Sequence, residues 1–428
     1  MQKRFLYFFL LHHQQFRRGA CKIVDKKTVV LIGSLDTKSD EIAFLRDQIT
    51  AEGYATIVID VGILYTPLTR ADIPREQVAM KGGSSLEKLI ENSEKGVDKE
   101  TAVNVMAHGA SEILNDLFKH GKADAVIAVG GAIGTAVGTA AMKGLPYGIP
   151  KIMISIVLSS RMKQYVDSKD IVFINYPTDL LGLNFLTRKV LSNACGAVSG
   201  MLKTTEPEQT NKKLVAITCL GVTTPAVLKA KQKLEQRGYE TIVYSIETEG
   251  LDELLEKDLI SAVLDLTPYE LINIHLMKTS LHTKRMAAAN EKGIPQIIVP
   301  GGLDFLILAC PINDVPEAYR QRQLYKHSPH VTLVRINKTE AIELGRVLAE
   351  RANAAKGPTI VLVPLKGFSS IDMEGQPFFN PQVDESLLVS LKKNLDPSVK
   401  VIEVNAHIND EEFADLAFHT INSMLNNV

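Results

Sequence analysis

Tryptophan is absent from the 428 residues, and aromatic side chains make up only 6%. Proteins that stack single-stranded nucleic acid need such rings, so that function class is disfavoured. There is no surplus of positive charge either, with Lys+Arg at 48 against Asp+Glu at 49. A nucleic-acid coat draws its affinity from such a surplus, so no nucleic-acid partner is expected. Cysteine is scarce: Cys21, Cys195, Cys219 and Cys310 stand far apart and form no C-x-x-C pair. A disulfide scaffold and a spaced zinc site are thereby disfavoured, no metal site is assigned, and a reducing cytoplasm fits best.

No apolar run reaches the ~18 residues that a membrane span needs, so no membrane partner is expected. The run at 5–11, FLYFFLL, follows Lys3-Arg4 and resembles a short signal core. It is followed by His12-His13 and Arg17-Arg18 without a small-residue cleavage site, which argues against secretion. Residues 1–26 are therefore read as an N-terminal extension that is poorly ordered.

Short β-rich apolar runs alternate with longer helical segments. They occur at 29–32, 56–59, 125–129, 151–154, 214–217, 241–244, 262–266, 296–299, 331–334 and 359–363. Continuous hydrophobicity marks strands covered on both faces, as in parallel sheets flanked by helices. The fold class is α/β: two consecutive Rossmann-like, doubly wound domains with mainly parallel sheets. The length favours two domains at ~100–200 residues each.

An internal repeat supports the pair. Residues 28–60 align without gaps on 213–245, so that Gly53-Tyr54 meets Gly238-Tyr239 and Thr56-Ile57-Val58 meets Thr241-Ile242-Val243. A second echo joins 148–152 to 293–297. The polar stretch 204–211 separates the copies, which sets domains at 27–205 and 206–428. A small-residue helix is expected over 183–202 and an amphipathic one over 411–425.

Ligands of such folds sit at the carboxyl ends of the strands. The turn after the first strand holds Gly33, Ser34, Asp36, Thr37 and Lys38, which can offer amides and an ammonium to a phosphate. The plainer alternative is that Ser34, Asp36 or Thr37 caps the next helix. The turn after 125–129 holds Gly130, Gly131, Gly134 and Thr135, and its glycines allow close approach to an anion at a helix N-terminus. Neither turn is a P-loop or a dinucleotide fingerprint. In the second half, Gly221, Thr223, Thr224, Gly301, Gly302 and His327 lie in comparable turns or polar loops. His407 is likewise in a polar loop, whereas His108 and His120 read as structural or exposed. No nucleophile–base or metal-ligand spacing is present, so no catalytic residue is assigned.

These turns resemble a known family, the ATP-binding proteins typified by the N-terminal inhibitory domain of the tomato mosaic virus resistance protein. The resembling segments are 33–38, 128–135, 165–183, 191–201, 221–225, 296–304, 324–329 and 405–410. The resemblance implies two Rossmann-like subdomains, ATP as ligand with Mg²⁺ as a candidate companion, and homo-oligomers. The plant protein continues into a TIM barrel, and some relatives are encoded beside a separate barrel protein, which makes such a protein a candidate partner. This chain departs from the family pattern at Ser34, usually Thr, and at Ala132-Ile133, usually Ser-Gly.

Three functional expectations follow. The first is an ATP-binding protein with its phosphates near Gly130, Gly131, Gly134 and Thr135, Lys38 as counter-charge, and Asp36 acting through Mg²⁺. The second is an enzyme on a small organic acid or phosphorylated metabolite in a cleft between the halves. The third is an interaction module for a separate TIM-barrel protein.

Overall fold

The computed structural model describes residues 26–94, 99–157, 159–166, 168–204, 210–245, 249–279 and 284–426. The run at 5–11, Cys21, Asp167 and residues 205–209 of the polar stretch lie outside them. The chain divides into two compact units, with the division between Pro207 and Glu208.

The first unit runs β1 (Thr28–Gly33), α1 (Ser39–Ala51), β2 (Ala55–Asp60), α2 (Arg75–Lys81), α3 (Leu86–Glu94), α4 (Lys99–Lys119) and β3 (Ala125–Gly130). It continues through α5 (Ala132–Lys143), β4 (Lys151–Ser155), β5 (Val172–Asn175) and α6 (Phe185–Leu202), with two one-turn helices between β4 and β5. The strands form one parallel sheet in the order β2-β1-β3-β4-β5. Alternate residues of each strand enter opposite layers. Val29 and Leu31 pack with Leu45, Ile49, Leu191 and Val198 of α1 and α6. Val30 and Ile32 pack with Met106 and Ala110 of α4 and Val137 of α5. This two-sided covering is why β1 reads as an unbroken apolar run.

The second unit opens with the same motif: β6 (Leu214–Thr218), α7 (Thr224–Gln236) and β7 (Glu240–Tyr244). After α8 (Glu249–Glu256) come β8 (Ala262–Asp265), α9 (Ala287–Lys292), β9 (Gln296–Ile298), β10 (Phe305–Leu308), β11 (Leu324–Ser328) and β12 (Val331–Arg335). The unit ends with α10 (Lys338–Asn353), β13 (Thr359–Pro364), α11 (Pro381–Asn394), β14 (Lys400–Val404) and α12 (Glu411–Asn426). Six strands make a parallel sheet in the order β14-β13-β9-β8-β6-β7. The repeat seen in the sequence is thus a repeat of structure. Both copies end their first helix at a glycine in the left-handed region, Gly53 at φ 93° and Gly238 at φ 97°. A side chain is strained there, so glycine stops the helix and turns the chain into the next strand.

The run at 331–334 departs from the parallel pattern. It belongs to β12, the middle strand of a separate antiparallel sheet, β10-β12-β11. Pro329-His330 separate β11 from β12, and so short a link permits only antiparallel pairing of neighbours. The final helix, α12, buries Phe413, Ala417 and Ile421 in the core layer that also holds Val227 and Leu234 of α7.

Candidate functional site

In the first sheet the chain leaves β1 toward β2 on one side and returns to β3 on the other. This reversal of strand order is where an open α/β sheet forms a crevice at its carboxyl edge. Register places Gly33 of β1 beside Val129 of β3, so the turns that follow these strands are neighbours. They share a cavity of about 430 Å³. Asp36, Thr37, Lys38, Gly130, Gly131 and Gly134 line it, together with Ser34, Ala132 and Ile133. The remaining wall comes from Val61, Ile63 and Leu64 after β2, Asp179 and Leu181 after β5, and Lys99.

Gly33 and Thr135 support this cavity from behind. A Cβ at Gly33 would lie 2.7 Å from Ile42 Cδ1, so this glycine lets α1 pack close to β1. Thr135 is fully buried; its hydroxyl donates to the Gly131 carbonyl at 2.7 Å and meets Ser155 Oγ at 2.7 Å. That hydroxyl is spent on the turn itself.

Helix N-termini carry amides with no partner inside the helix. No side chain caps α1, which starts after Lys38, or α5, which starts after Gly131. The capping alternative for Ser34, Asp36 and Thr37 is therefore not the arrangement found. Thr37 and Lys38 instead donate their amides to the Ser34 carbonyl at 3.0 and 2.8 Å, closing a tight turn. Lys38 is 7% exposed, and its ammonium donates to the Thr37 carbonyl at 3.3 Å.

Asp36 ties down a neighbouring loop. Its Oδ2 accepts from the Leu64 amide at 2.7 Å and the Tyr65 amide at 3.2 Å. Its Oδ1 is buried without a partner, and a Cβ at Gly62 would lie 2.8 Å from it. The loop at 62–65 is thus held through Oδ2 alone, and Oδ1 is the oxygen left over. The neighbouring Asp60 accepts from the amides of Leu35 and Gly62, both at 2.9 Å, through one oxygen. Burial raises its pKa, and the two amides pull back only in part. Asp36→Ala should cost about 1 kcal/mol, the usual worth of such a bond. Hydrogen exchange at Leu64 and Tyr65 should quicken well beyond that of the sheet amides.

Glu41 holds the opposite wall. It is 1% exposed on α1 and accepts from the Gly182 amide at 2.8 Å, next to Leu181. Burial raises its pKa as well, against the pull of its own backbone amide, Lys38 and the Gly182 amide. The sequence reading missed Lys99, Asp179 and the 61–64 segment. The carboxyl-end rule applied to β2 would have found the last of these. β5 gave little signal, because it is a half-exposed edge strand of four residues.

The candidates of the second unit are arranged differently. Gly221–Thr223 form one turn of 3-10 helix ahead of α7. Thr223 Oγ1 accepts from the Leu220 amide at 3.1 Å and meets Thr267 Oγ1 at 2.8 Å, while Thr224 Oγ1 donates to the Leu220 carbonyl at 3.2 Å. A Cβ at Gly301 would lie 2.1 Å from the Leu266 carbonyl oxygen, and Gly302 has φ 70°. Both glycines serve the close approach of two turns. At the strand-order reversal between β6 and β8, Asp265 accepts from Thr218 Oγ1 at 2.7 Å and from Arg285 Nη2 at 2.8 Å. At this position the buried side chains of the second unit thus bond to one another. His327 lies exposed on β11, where the register with β12 shifts, and His407 is buried with both ring nitrogens bonded.

Among the described residues, no group of three or more His, Cys, Asp or Glu is placed to hold a metal ion. No helix among them is long and apolar enough to cross a membrane.

Residues 27–207 match the model described as "Uncharacterised protein family (UPF0261) N-terminal domain", and residues 212–425 match that family's C-terminal domain. A UPF0261 protein of Clostridium tetani is 40% identical over 395 residues, 91% of this chain and 96% of that protein. The ToMV resistance protein Tm-1(GCR237) of Solanum lycopersicum is 30% identical over 414 residues, 90% of this chain but 54% of that protein. A solved UDP-GlcNAc 2-epimerase of Methanocaldococcus jannaschii covers 94% of this chain and 93% of its own, at 10% identity and a TM-score of 0.22. A likeness of that size carries no argument about function. The two matched models and the full-length relatives make the chain a member of the UPF0261 family.

Proposed function

We propose that this protein binds ATP in its first unit, with the phosphates at the N-termini of α1 and α5. One observation carries the reading: two uncapped helix N-termini and the buried Lys38 converge on a single cavity. Backbone amides and the helix dipole favour an anion there, and Lys38 adds a charged donor. Ile63, Leu64, Ile133 and Leu181 give the cavity an apolar wall for a flat base. No step is assigned to Mg²⁺.

Calorimetry on the full chain with ATP, with and without Mg²⁺, tests this directly. Absence of a heat of binding at millimolar ATP sinks the proposal. Lys38→Met should weaken binding by about 10–100-fold, the worth of one charge-assisted hydrogen bond.

A second reading is favoured by the charges that line the cavity. Lys38 and Lys99 face Asp36 and Asp179, so the lining has no excess of positive charge. A small organic acid or phosphorylated metabolite, with less charge than a triphosphate, suits that balance. Melting shifts across a metabolite panel separate the two readings: a response to ATP alone favours the first.

A further inference from the structure

A cluster of carboxyl groups in the second unit has more negative charge than its surroundings can neutralise. Among the described residues, Arg335, 3% exposed at the end of β12, is the cation bonded to it. Its Nη1 donates to the Asp304 carbonyl at 2.8 Å. Its Nη2 donates to Asp384 Oδ1 at 2.5 Å, to Asp372 Oδ1 at 3.3 Å and to the Asn380 carbonyl at 3.4 Å. Asp304 and Asp372 are fully buried. Asp304 Oδ2 accepts from Ser369 Oγ at 2.7 Å, and Asp372 Oδ2 accepts from the Phe368 amide at 3.0 Å. His407 reaches the same loop, but Nε2 donates to the Ser369 carbonyl and Nδ1 accepts from the Asn409 amide. That arrangement is the neutral ring, so His407 adds no positive charge.

Three carboxylates around one guanidinium, two of them fully buried and Asp384 only slightly exposed, would leave two negative charges uncompensated. Such ions relieve the penalty by keeping a proton. Asp372 Oδ1 and Asp384 Oδ1 both accept from Arg335 Nη2, which gathers the two carboxyl groups around one nitrogen, and two carboxyl groups can hydrogen-bond to each other only if one of them is protonated. We propose that Asp372 and Asp384 hold one proton between them, with Asp372 donating to the Asp384 carboxylate. This proton clasps the loop 365–380 onto the first turn of α11. The loop follows β13 at the carboxyl edge of the second sheet, and Phe368 and Phe378 anchor it in the core.

Burial and the neighbouring carboxyls of Asp304 and Asp384 push the Asp372 pKa up to about 9, against the opposing pull of Arg335 and the Phe368 amide. The folded value lies above that of the unfolded chain, ~3.9. The stabilisation is therefore full below the ordinary Asp range and is lost as pH rises toward the folded value. Loss of the proton puts two carboxylates in contact, and the clasp opens.

Infrared difference spectroscopy on the full chain, wild type minus Asp372→Asn, tests the assignment. The wild type should show the carbonyl stretch of a protonated carboxylic acid at about pH 7, and the variant should lack it. Hydrogen exchange in the 367–378 segment should rise with alkalinity beyond the intrinsic rate, by up to ~tenfold per pH unit as the proton leaves. Asp372→Asn keeps a donor toward Asp384, so its protection should no longer depend on pH in that range. If the wild type lacks the acid stretch, or protects the loop equally at about pH 7 and about pH 10, the proposal is overturned. Should the variant fail to fold, the wild-type spectrum and pH profile decide alone.

Discussion

Arg285→Met is expected to destabilise the second unit by about 3–5 kcal/mol, measured by urea unfolding. Arg285 is 2% exposed and supports two acids at once, donating to Asp265 at 2.8 Å and to Glu270 at 3.2 Å. Both acids are buried, and Asp265 Oδ2 has no hydrogen-bond partner. Removing the guanidinium leaves the Asp265 carboxyl to take up a proton or to stay charged without its counter-ion. Thr218 alone cannot replace the lost charge. Converting Arg285→Met together with Asp265→Leu should recover part of the loss, because much of the cost lies in the buried Asp265 carboxyl left without its counter-ion. A single variant that unfolds at wild-type urea would show that water reaches this position.

On the proposed reading, Gly130→Ala should abolish ATP binding at the first unit's cavity, while Gly131→Ala should leave it close to wild type. A Cβ at Gly130 would lie 2.5 Å from Gly134 Cα and 2.7 Å from Gly134 C. Both are backbone atoms, so the first turn of α5 would have to move away from β3. Its uncapped amides would move with it, and overpacking of this kind also costs about 1–3 kcal/mol. Gly131 differs: its nearest neighbour would be Ile156 Cδ1 at 3.7 Å, an ordinary contact. Titration calorimetry on the two variants with the ligand that binds wild type gives the comparison. Equal affinities would mean that the α5 turn does not hold the ligand.

Much of the fold was legible because parallel strands covered on both faces cannot hide their composition. The runs at 29–32 and 125–129 are apolar at every position, since each face meets a helical layer. The two Gly-Tyr pairs marked the repeat because a helix stop in the left-handed region favours the same residue twice. β5 and β11 were not legible. Each is a short strand with exposed positions, and pairing with a neighbour rather than composition makes it a strand. The run at 331–334 looked like the others, but a two-residue link to β11 sent it into the antiparallel sheet.

The residue types at the two turns of the first unit, and the carboxyl edge where they sit, were written in the chain itself. That edge follows from alternation of strand and helix, which is local. Only the tertiary structure decided what those side chains do. Asp36 carries a loop 28 residues away, and Thr135 spends its hydroxyl on its own turn and on Ser155. It also decided that Asp265 and Arg285 bond to each other at the matching position of the second unit. Hydrogen bonds of that kind join residues far apart in sequence, and their partners exist only once the strands have been ordered side by side.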